Sequence, residues 1–300
     1  MSYRSGFVTL LGRSNVGKST LINAMVGEKV SIVSDRPQTT RNQVRGVLHR
    51  ENYQIVFVDT PGLHRPHNRL GEYMVHAAGA ALEAVDCVLV VMDASVPFGG
   101  GDRAVLDRLT NTKTPVILVL NKIDLVPKTA LLQYMEKLQA YPFLTEILPI
   151  SARTYEGVDE LEAILASHMP EGPRYFPEDM YTDQPERVMI AEIIREKALQ
   201  LLRDEIPHGM GVEIMSMKRR AQTELVDIEA DLVVERENHK GIVVGKKGAM
   251  LKELGTRARL EIEALLGNPV NLRLWVKVRE NWRDSNAVLK DLGYDAKNDF

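Results

Sequence analysis

The sequence predicts two domains, an α/β domain with a mostly parallel sheet and helices on both faces, then a smaller α+β domain. Three observations carry this. Apolar runs of strand length alternate with helix-periodic stretches over residues 1–170, as parallel strands joined by crossover helices do. Four prolines with little periodicity between Pro170 and Arg187 mark 171–184 as a linker. Beyond it the order changes to helix, two strands, turn, long helix and strand, which places the second domain at 185–300.

Taken in order, the expected strands of the first domain are Phe7–Leu11, Ile55–Asp59, Cys87–Asp93, Val116–Asn121 and Ile147–Ser151. Several are almost continuously apolar, as strands covered on both faces must be. Helical spacing recurs at Ser19–Val26 and Gly157–His168, and Gly99–Gly101 reads as a flexible surface loop. In the second domain a helix near Val188–Glu205 precedes strands at Val212–Arg219 and Thr223–Glu237. A helix at Ala249–Leu266 and a strand at Val270–Val278 follow, with a last helical stretch near Asn286. In that strand Leu272, Leu274, Val276 and Val278 alternate with Arg273, Trp275, Lys277 and Arg279. One face is therefore core; the other, basic with a single tryptophan, is read as meeting the first domain or staying solvated rather than as a ligand surface.

Composition bounds the functional classes. With 44% hydrophobic and 26% charged residues the chain is of ordinary globular type. Its one cysteine, Cys87, lies in an apolar run, which favours a packed thiol and a reducing compartment. No run approaches the ~18 apolar residues of a membrane span, and the N-terminal apolar stretch is too short for a signal peptide, so a cytoplasmic protein is expected. The net charge of −3 is unevenly spread: His239–Lys290 carries eleven Lys and Arg against five Asp and Glu. Such an excess is the electrostatic footprint of a polyanion partner.

The stretch Gly12-Arg13-Ser14-Asn15-Val16-Gly17-Lys18-Ser19, followed by Thr20, matches G-x-x-x-x-G-K-[ST] between an apolar strand and a helix. Its backbone N–H groups can curl around phosphate oxygens, Lys18 can bridge the outer phosphates, and Ser19 can bind Mg²⁺. At the end of the next apolar strand lies Asp59-Thr60-Pro61-Gly62, where an acid can hold Mg²⁺ through water and the Gly62 N–H can reach the γ-phosphate. Asn121-Lys122-Ile123-Asp124 supplies a carboxylate for guanine N1–H and its amino group, an amide for the base's other edge, and an alkyl stem for a ring face. Ser151 and Ala152 follow, with the Ala152 N–H free to meet guanine O6. In this order and at these strand ends, the set points to a GTP-binding, GTP-hydrolysing domain.

Between the first two motifs the polar run Ser34–Gly46 carries adjacent threonines. A switch loop needs a hydroxyl and an N–H that close on Mg²⁺ and phosphate, and Thr40 is favoured over Thr39. Ras-like GTPases place a water-orienting glutamine directly after the D-x-x-G motif. Here that position is Leu63, so hydrolysis is slow or uses a water held by backbone groups. Asn15 can compensate by helping to bind K⁺ beside the phosphates, or it can simply shape the loop. The catalytic set is then Lys18, Thr40, Asp59, Gly62 and Asn15, with Mg²⁺ held by Ser19, Thr40 and, through water, Asp59. His64 and His67 have no companion ligands and read as solvated.

These blocks, with a basic module behind them, resemble the Era family of bacterial GTPases over essentially the whole chain. The family's hydrophobic residue after D-x-x-G matches Leu63, and its potassium-associated asparagine matches Asn15. The resemblance implies a C-terminal K homology (KH) domain of the second topological type. It also implies binding of the single-stranded 3′ end of 16S rRNA during assembly of the 30S subunit, by a monomer with peripheral association at the inner membrane.

A second glycine-lysine turn fits that expectation. Gly241 and Gly245 enclose three residues rather than four, and Lys246 is followed by Lys247, not by a hydroxyl. What remains is the KH-type G-x-x-G of Gly245 to Gly248, opening a long helix. Residues His239, Lys240, Gly241, Gly245, Lys246, Lys247 and Gly248 are the expected RNA contacts, with RNA favoured in the GTP state. The rival reading is a signalling GTPase whose second domain binds a protein.

Overall fold

The computed structural model describes residues 2–34, 36, 39, 41, 44–59, 68–80, 85–203 and 206–294, with 75–80 described as backbone only. The chain forms two compact units, the first closing at Asp183 and the second opening at Gln184.

The first unit holds a six-stranded sheet. In chain order the elements up to Asp183 are β1 (Arg4–Leu11), α1 (Lys18–Val26), β2 (Val44–His49), β3 (Tyr53–Asp59), α2 (Arg69–Ala80, of which the part up to Tyr73 groups with the second unit), β4 (Cys87–Asp93), α3 (Gly100–Asp107), β5 (Val116–Asn121), α4 (Lys128–Leu138), β6 (Leu144–Pro149) and α5 (Val158–His168). The sheet order is β2-β3-β1-β4-β5-β6, with β2 antiparallel to β3 and all other pairs parallel. Alternate residues of each central strand feed separate cores. Leu10, Leu89, Val91, Ile117 and Val119 pack with α1 and α5, while Leu11, Val88, Val90, Leu118 and Leu120 pack with α3 and α4. That division is why these strands read as unbroken apolar runs.

Three details depart from the sequence expectations. The polar loop ends before Val44, because Val44, Val47 and Leu48 are buried in the edge strand β2. The triple glycine is no free loop. Helix α3 starts at Gly100, Asp102 accepts from the Gly99 N–H at 3.0 Å, and a Cβ on Gly101 would lie 2.8 Å from Arg13 Nε. The last strand runs Leu144–Pro149, earlier than the expected Ile147–Ser151.

The proline-rich connector is also no free tether. Gly172 N donates to Tyr3 O, and the buried Gln54 side chain accepts from Tyr175 N and Phe176 N while donating to Phe176 O. Further on, Val47 N donates to Tyr181 O, Gly46 bridges Thr182, and Arg45 pairs with Asp183 at 2.8 Å. The connector thus covers the edge strand β2, whose backbone groups would otherwise offer a template for foreign strands.

The second unit contains α6 (Glu186–Leu201), β7 (Gly211–Arg219), β8 (Val226–Val234), α7 (Glu237–Val244), α8 (Ala249–Leu266), β9 (Val270–Val278) and α9 (Asn286–Asp291). Its sheet runs β7-β8-β9, with β7/β8 antiparallel and β8/β9 parallel. One face of the sheet packs on α6 and α8 through Ile190, Ile194, Ile228, Ala230, Leu254 and Ile262. The apolar Ile242–Val244 is the end of a helix, α7, that the sequence does not announce.

Candidate nucleotide and RNA sites

The phosphate-loop motif spans the turn from β1 into α1. Glycine is required at both ends of the loop. A Cβ on Gly12 would sit 2.3 Å from Val91 O of β4, and one on Gly17, at φ 99°, would sit 2.2 Å from Asn121 Nδ2. Lys18 is buried, and its ammonium donates to Gly12 O at 3.2 Å and Arg13 O at 3.1 Å, so it lies inside the curl of the loop. Burial pushes its pKa below the ordinary lysine value, and the Asp59 carboxylate opposes that shift. Asp59, fully buried at the end of β3, accepts from Ser19 Oγ at 3.0 Å. A hydroxyl and a carboxylate converging from two elements are the hard oxygen donors that Mg²⁺ takes.

The base-recognition motif at the end of β5 is locked to the same loop. Asn121 donates to Val16 O at 2.9 Å and accepts from Ala152 N at 3.0 Å, so it joins the phosphate loop to the Ser151–Ala152 segment. The N–H that the sequence offers to guanine O6 therefore has a partner within the chain. Lys122, at φ 66°, donates to Asn15 O at 2.7 Å, and Asn15 is itself left-handed at φ 65°. Asp124 accepts from Ser151 Oγ at 2.7 Å, which orients its carboxylate.

Asp93 is a residue that sequence reasoning missed. It ends β4 and pairs with Lys122 Nζ at 2.5 Å, while Ser95 donates to its other oxygen through N and Oγ. The available signal was an acid closing an apolar strand, the same signal that singles out Asp59. Arg13 pairs with Asp102 of α3 at 3.3 Å, Ser14 and Thr20 are half-buried, and Ile123 packs against the core shared by α3 and α4. Thr40, Asn42, Thr60, Pro61, Gly62, Leu63, His64 and His67 lie outside the described residues. Among the described residues no cluster of three or more His, Cys, Asp or Glu could hold a metal.

In the second unit Gly245 (φ 71°), Lys247 (φ 53°) and Gly248 (φ 80°) carry the left-handed turn between α7 and α8. A Cβ on Gly245 would meet Met250 Cβ at 2.7 Å, so this glycine lets the two helices approach. Lys246 and Lys247 are exposed at the tip. Beside the turn runs a groove of about 380 Å³ lined by Gly248, Leu251, Lys252, Gly255, Thr256, Arg259, Leu272 and Leu274. Three leucines line it beside Lys252, while Arg259 pairs with Glu263 at 2.7 Å, and of the expected RNA contacts it includes Gly248 alone. Gly245, Lys246 and Lys247 form the adjoining turn, while His239, Lys240 and Gly241 sit on α7. Leu272 and Leu274, expected in the core, are only partly buried and face this groove.

The opposite face of β9 is not a free basic surface. Arg273 lies 3.7 Å from Glu229, Lys277 pairs with Asp231 at 2.6 Å, and Arg279 with Glu213 at 2.9 Å. Each cation is matched by a carboxylate of β8 or, for Arg279, of β7 beyond it, which leaves Trp275, 44% exposed, among neutralised pairs.

Comparison with known proteins finds relatives of both parts of the chain. A family model described as 50S ribosome-binding GTPase matches residues 7–122, and a KH domain model matches residues 205–283. The chain is 51% identical over 296 residues to GTPase Era of Clostridioides difficile (strain 630), covering 98% of this chain and 100% of the relative. Against GTPase Era of Alkaliphilus metalliredigens (strain QYMF) it is 50% identical over 295 residues, with the same coverage. A solved structure of Era in complex with MgGDPNP and nucleotides 1506–1542 of 16S ribosomal RNA superposes with a TM-score of 0.94 at 42% identity, covering 97% of this chain and 99% of that one. An Aquifex aeolicus Era variant bound to GDP·AlF4⁻ gives 0.93 at 42% identity and the same coverage. With half of its residues shared with full-length relatives along nearly its entire length, this chain belongs to the Era family of GTPases.

Proposed function

We propose that this GTPase binds Mg²⁺ and GTP in the phosphate-loop site and the single-stranded 3′ end of 16S rRNA in the groove beside Gly245–Gly248. In this reading it assists maturation of the 30S subunit and holds RNA more tightly in the GTP state. The observation that carries the reading is the pairing of the guanine-nucleotide motifs with a leucine-lined groove that adjoins the exposed Lys246 and Lys247 of a G-x-x-G turn. Leucine side chains suit unstacked bases, and lysines at the tip suit the strand's phosphates. The full-length likeness to an Era structure holding both ligands supports it.

In the proposed mechanism Lys18 and the loop N–H groups would hold the phosphates, Ser19 and Thr40 of the switch loop would hold Mg²⁺, and Asp59 would hold it through water. When bound, Mg²⁺ supplies positive charge against the oxygens on which charge develops. Asp124, oriented by Ser151, selects guanine, and Lys122 covers the ring with its ammonium anchored by Asp93 and Asn15 O. Leu63 offers no side chain to orient water, so the Gly62 backbone takes that part. The Asn15 side chain lies at the exposed crest of the loop, where K⁺ can add charge beside the phosphates. Replacing Na⁺ by K⁺ should then raise the hydrolysis rate in the parent and not in Asn15→Ala. We take the protein to act as a monomer in the cytoplasm. Among the described residues no helix is long and apolar enough to cross a membrane, and association with the inner membrane is peripheral in this reading.

The test is fluorescence anisotropy of a short RNA copying the 16S 3′ end, with GTP analogue or GDP present. Tighter binding with the analogue, weakened by scrambling the RNA and by Lys246→Ala/Lys247→Ala, is the expected result. Equal or absent binding in every arm would overturn the RNA reading and favour a protein partner for the second domain.

A further inference from the structure

We propose that Ser31, held in place by Asn23, is a positioning residue for Asp59, so that the chain just ahead of the switch loop sets how tightly Mg²⁺ closes on the nucleotide. The inference rests on the Mg²⁺–guanine nucleotide reading above. Asn23 lies on α1, one turn beyond Lys18 and Ser19. Its side chain makes three hydrogen bonds to the chain that leads into the switch loop. Oδ1 accepts from Val30 N at 3.0 Å and Ser31 N at 2.9 Å, and Nδ2 donates to Ser31 O at 2.7 Å. Both backbone groups of Ser31 are thereby fixed to the helix that carries the phosphate-binding lysine. The neighbours Val30 and Ile32 are buried at 6% and 5% exposure, which seats the segment in the fold on either side.

Ser31 itself is buried, and its hydroxyl donates to Asp59 Oδ2 at 3.0 Å. This is the same oxygen that accepts from Ser19 Oγ at 3.0 Å. The two hydroxyls have different duties. The Ser19 oxygen is a proposed metal donor, whereas the Ser31 hydroxyl, among the described residues, is bound to the carboxylate. A buried acid that must present its oxygens toward a cation gains from a donor fixing its rotamer and favouring its charged form. Partners that orient metal-holding groups in this way typically change metal affinity by roughly tenfold or more. Because Ser31 belongs to the segment entering the switch loop, a shift of that segment would be felt at Asp59.

The experiment uses the full chain loaded with fluorescent GDP and follows nucleotide dissociation across a Mg²⁺ titration, with EDTA as the zero point. In the parent, Mg²⁺ slows release. Ser31→Ala should raise the Mg²⁺ concentration for half-maximal slowing roughly tenfold, and Ser31→Thr should restore it. In an Asp59→Asn background Ser31→Ala should add nothing, since the two act through one bond. Ser31→Cys, of nearly the same size and a poor donor, carries the test if the alanine variant does not fold. An unchanged half-point with a lowered melting temperature would show a purely structural hydroxyl and overturn the proposal. Equal acceleration with and without Mg²⁺ would overturn it too. A parent that binds GDP without any response to Mg²⁺ would remove the Mg²⁺ reading and this inference together.

Discussion

At the scale of single residues, Asp124 shows how one carboxylate chooses a base. Guanine presents an N1–H and an amino group, and both require acceptors; Ser151 Oγ fixes one Asp124 oxygen at 2.7 Å and so orients the group. Asp124→Asn keeps the size and the bond to Ser151 but turns an acceptor into a donor. Xanthine, with a carbonyl in place of the amino group, matches that donor. The variant should lose about 100-fold in GDP affinity or more and gain affinity for XDP, as measured by competitive displacement. Cys87 makes the opposite case, a reactive group rendered inert. It is fully buried on β4, and burial pushes its thiol from 9.0 up to about 12. The folded pKa lies above the unfolded one and the neutral form is favoured in the fold, so stability is intact below pH ~9 and falls as pH rises toward about 12. The difference in unfolding free energy between the parent and Cys87→Ala, taken from urea titrations, should therefore stay constant up to pH ~8.5, then change by about 1.4 kcal/mol per pH unit. A gap that stays flat to pH ~10.5 would contradict the burial argument.

At the scale of elements, the connector along β2 depends on one buried amide. Gln54 serves Tyr175 N, Phe176 N and Phe176 O at 2.8–3.1 Å. Gln54→Ala should lower stability by about 1–3 kcal/mol and speed proteolysis within 174–183, while leaving GDP binding intact. An unaltered cleavage rate would mean that the bridge at Gly46 and the Arg45 pair hold the segment alone. The G-x-x-G turn is the second such element. Gly245→Ala must accept φ 71° and a 2.7 Å approach to Met250, so RNA binding should fall steeply for a loss of ~1–3 kcal/mol in stability. These two elements also show what a sequence can carry. The nucleotide motifs were legible because each is a local string whose residue types are fixed by chemistry at a strand end. Helix α8 and strand β9 were legible because glycine, proline and an amphipathic period bound them. The connector was not, since Pro173 and Pro177 signal irregular backbone whether a segment is free or pinned to a distant strand. Strand β2 hid behind the polar run, and α3 behind three glycines of which Gly101 alone lies against Arg13. Asp93, Ser31 and the groove residues Lys252 and Arg259 act through tertiary neighbours that no spacing reveals.

At the scale of the molecule, the covalent path between the sites constrains how they can communicate. The expected switch loop runs directly into β2, β2 carries the connector through Arg45, Gly46 and Val47, and the connector passes at Asp183 into the second unit. A change in the switch loop can thus reach the second unit through a hydrogen-bonded strand edge rather than through slack chain. If GTP favours RNA binding by some factor, RNA must favour GTP over GDP by the same factor. Arg45→Ala removes the last contact of that path, a partly exposed pair at 2.8 Å worth at most about 1 kcal/mol. The ratio of RNA affinities with GTP analogue and with GDP should then fall up to about fivefold, while GDP affinity without RNA stays as in the parent. The reciprocal ratio, nucleotide affinity with and without RNA, must fall by the same amount. A full ratio in Arg45→Ala would place the coupling elsewhere than along this edge, and unequal ratios would show that RNA and nucleotide are not in equilibrium with the same two states.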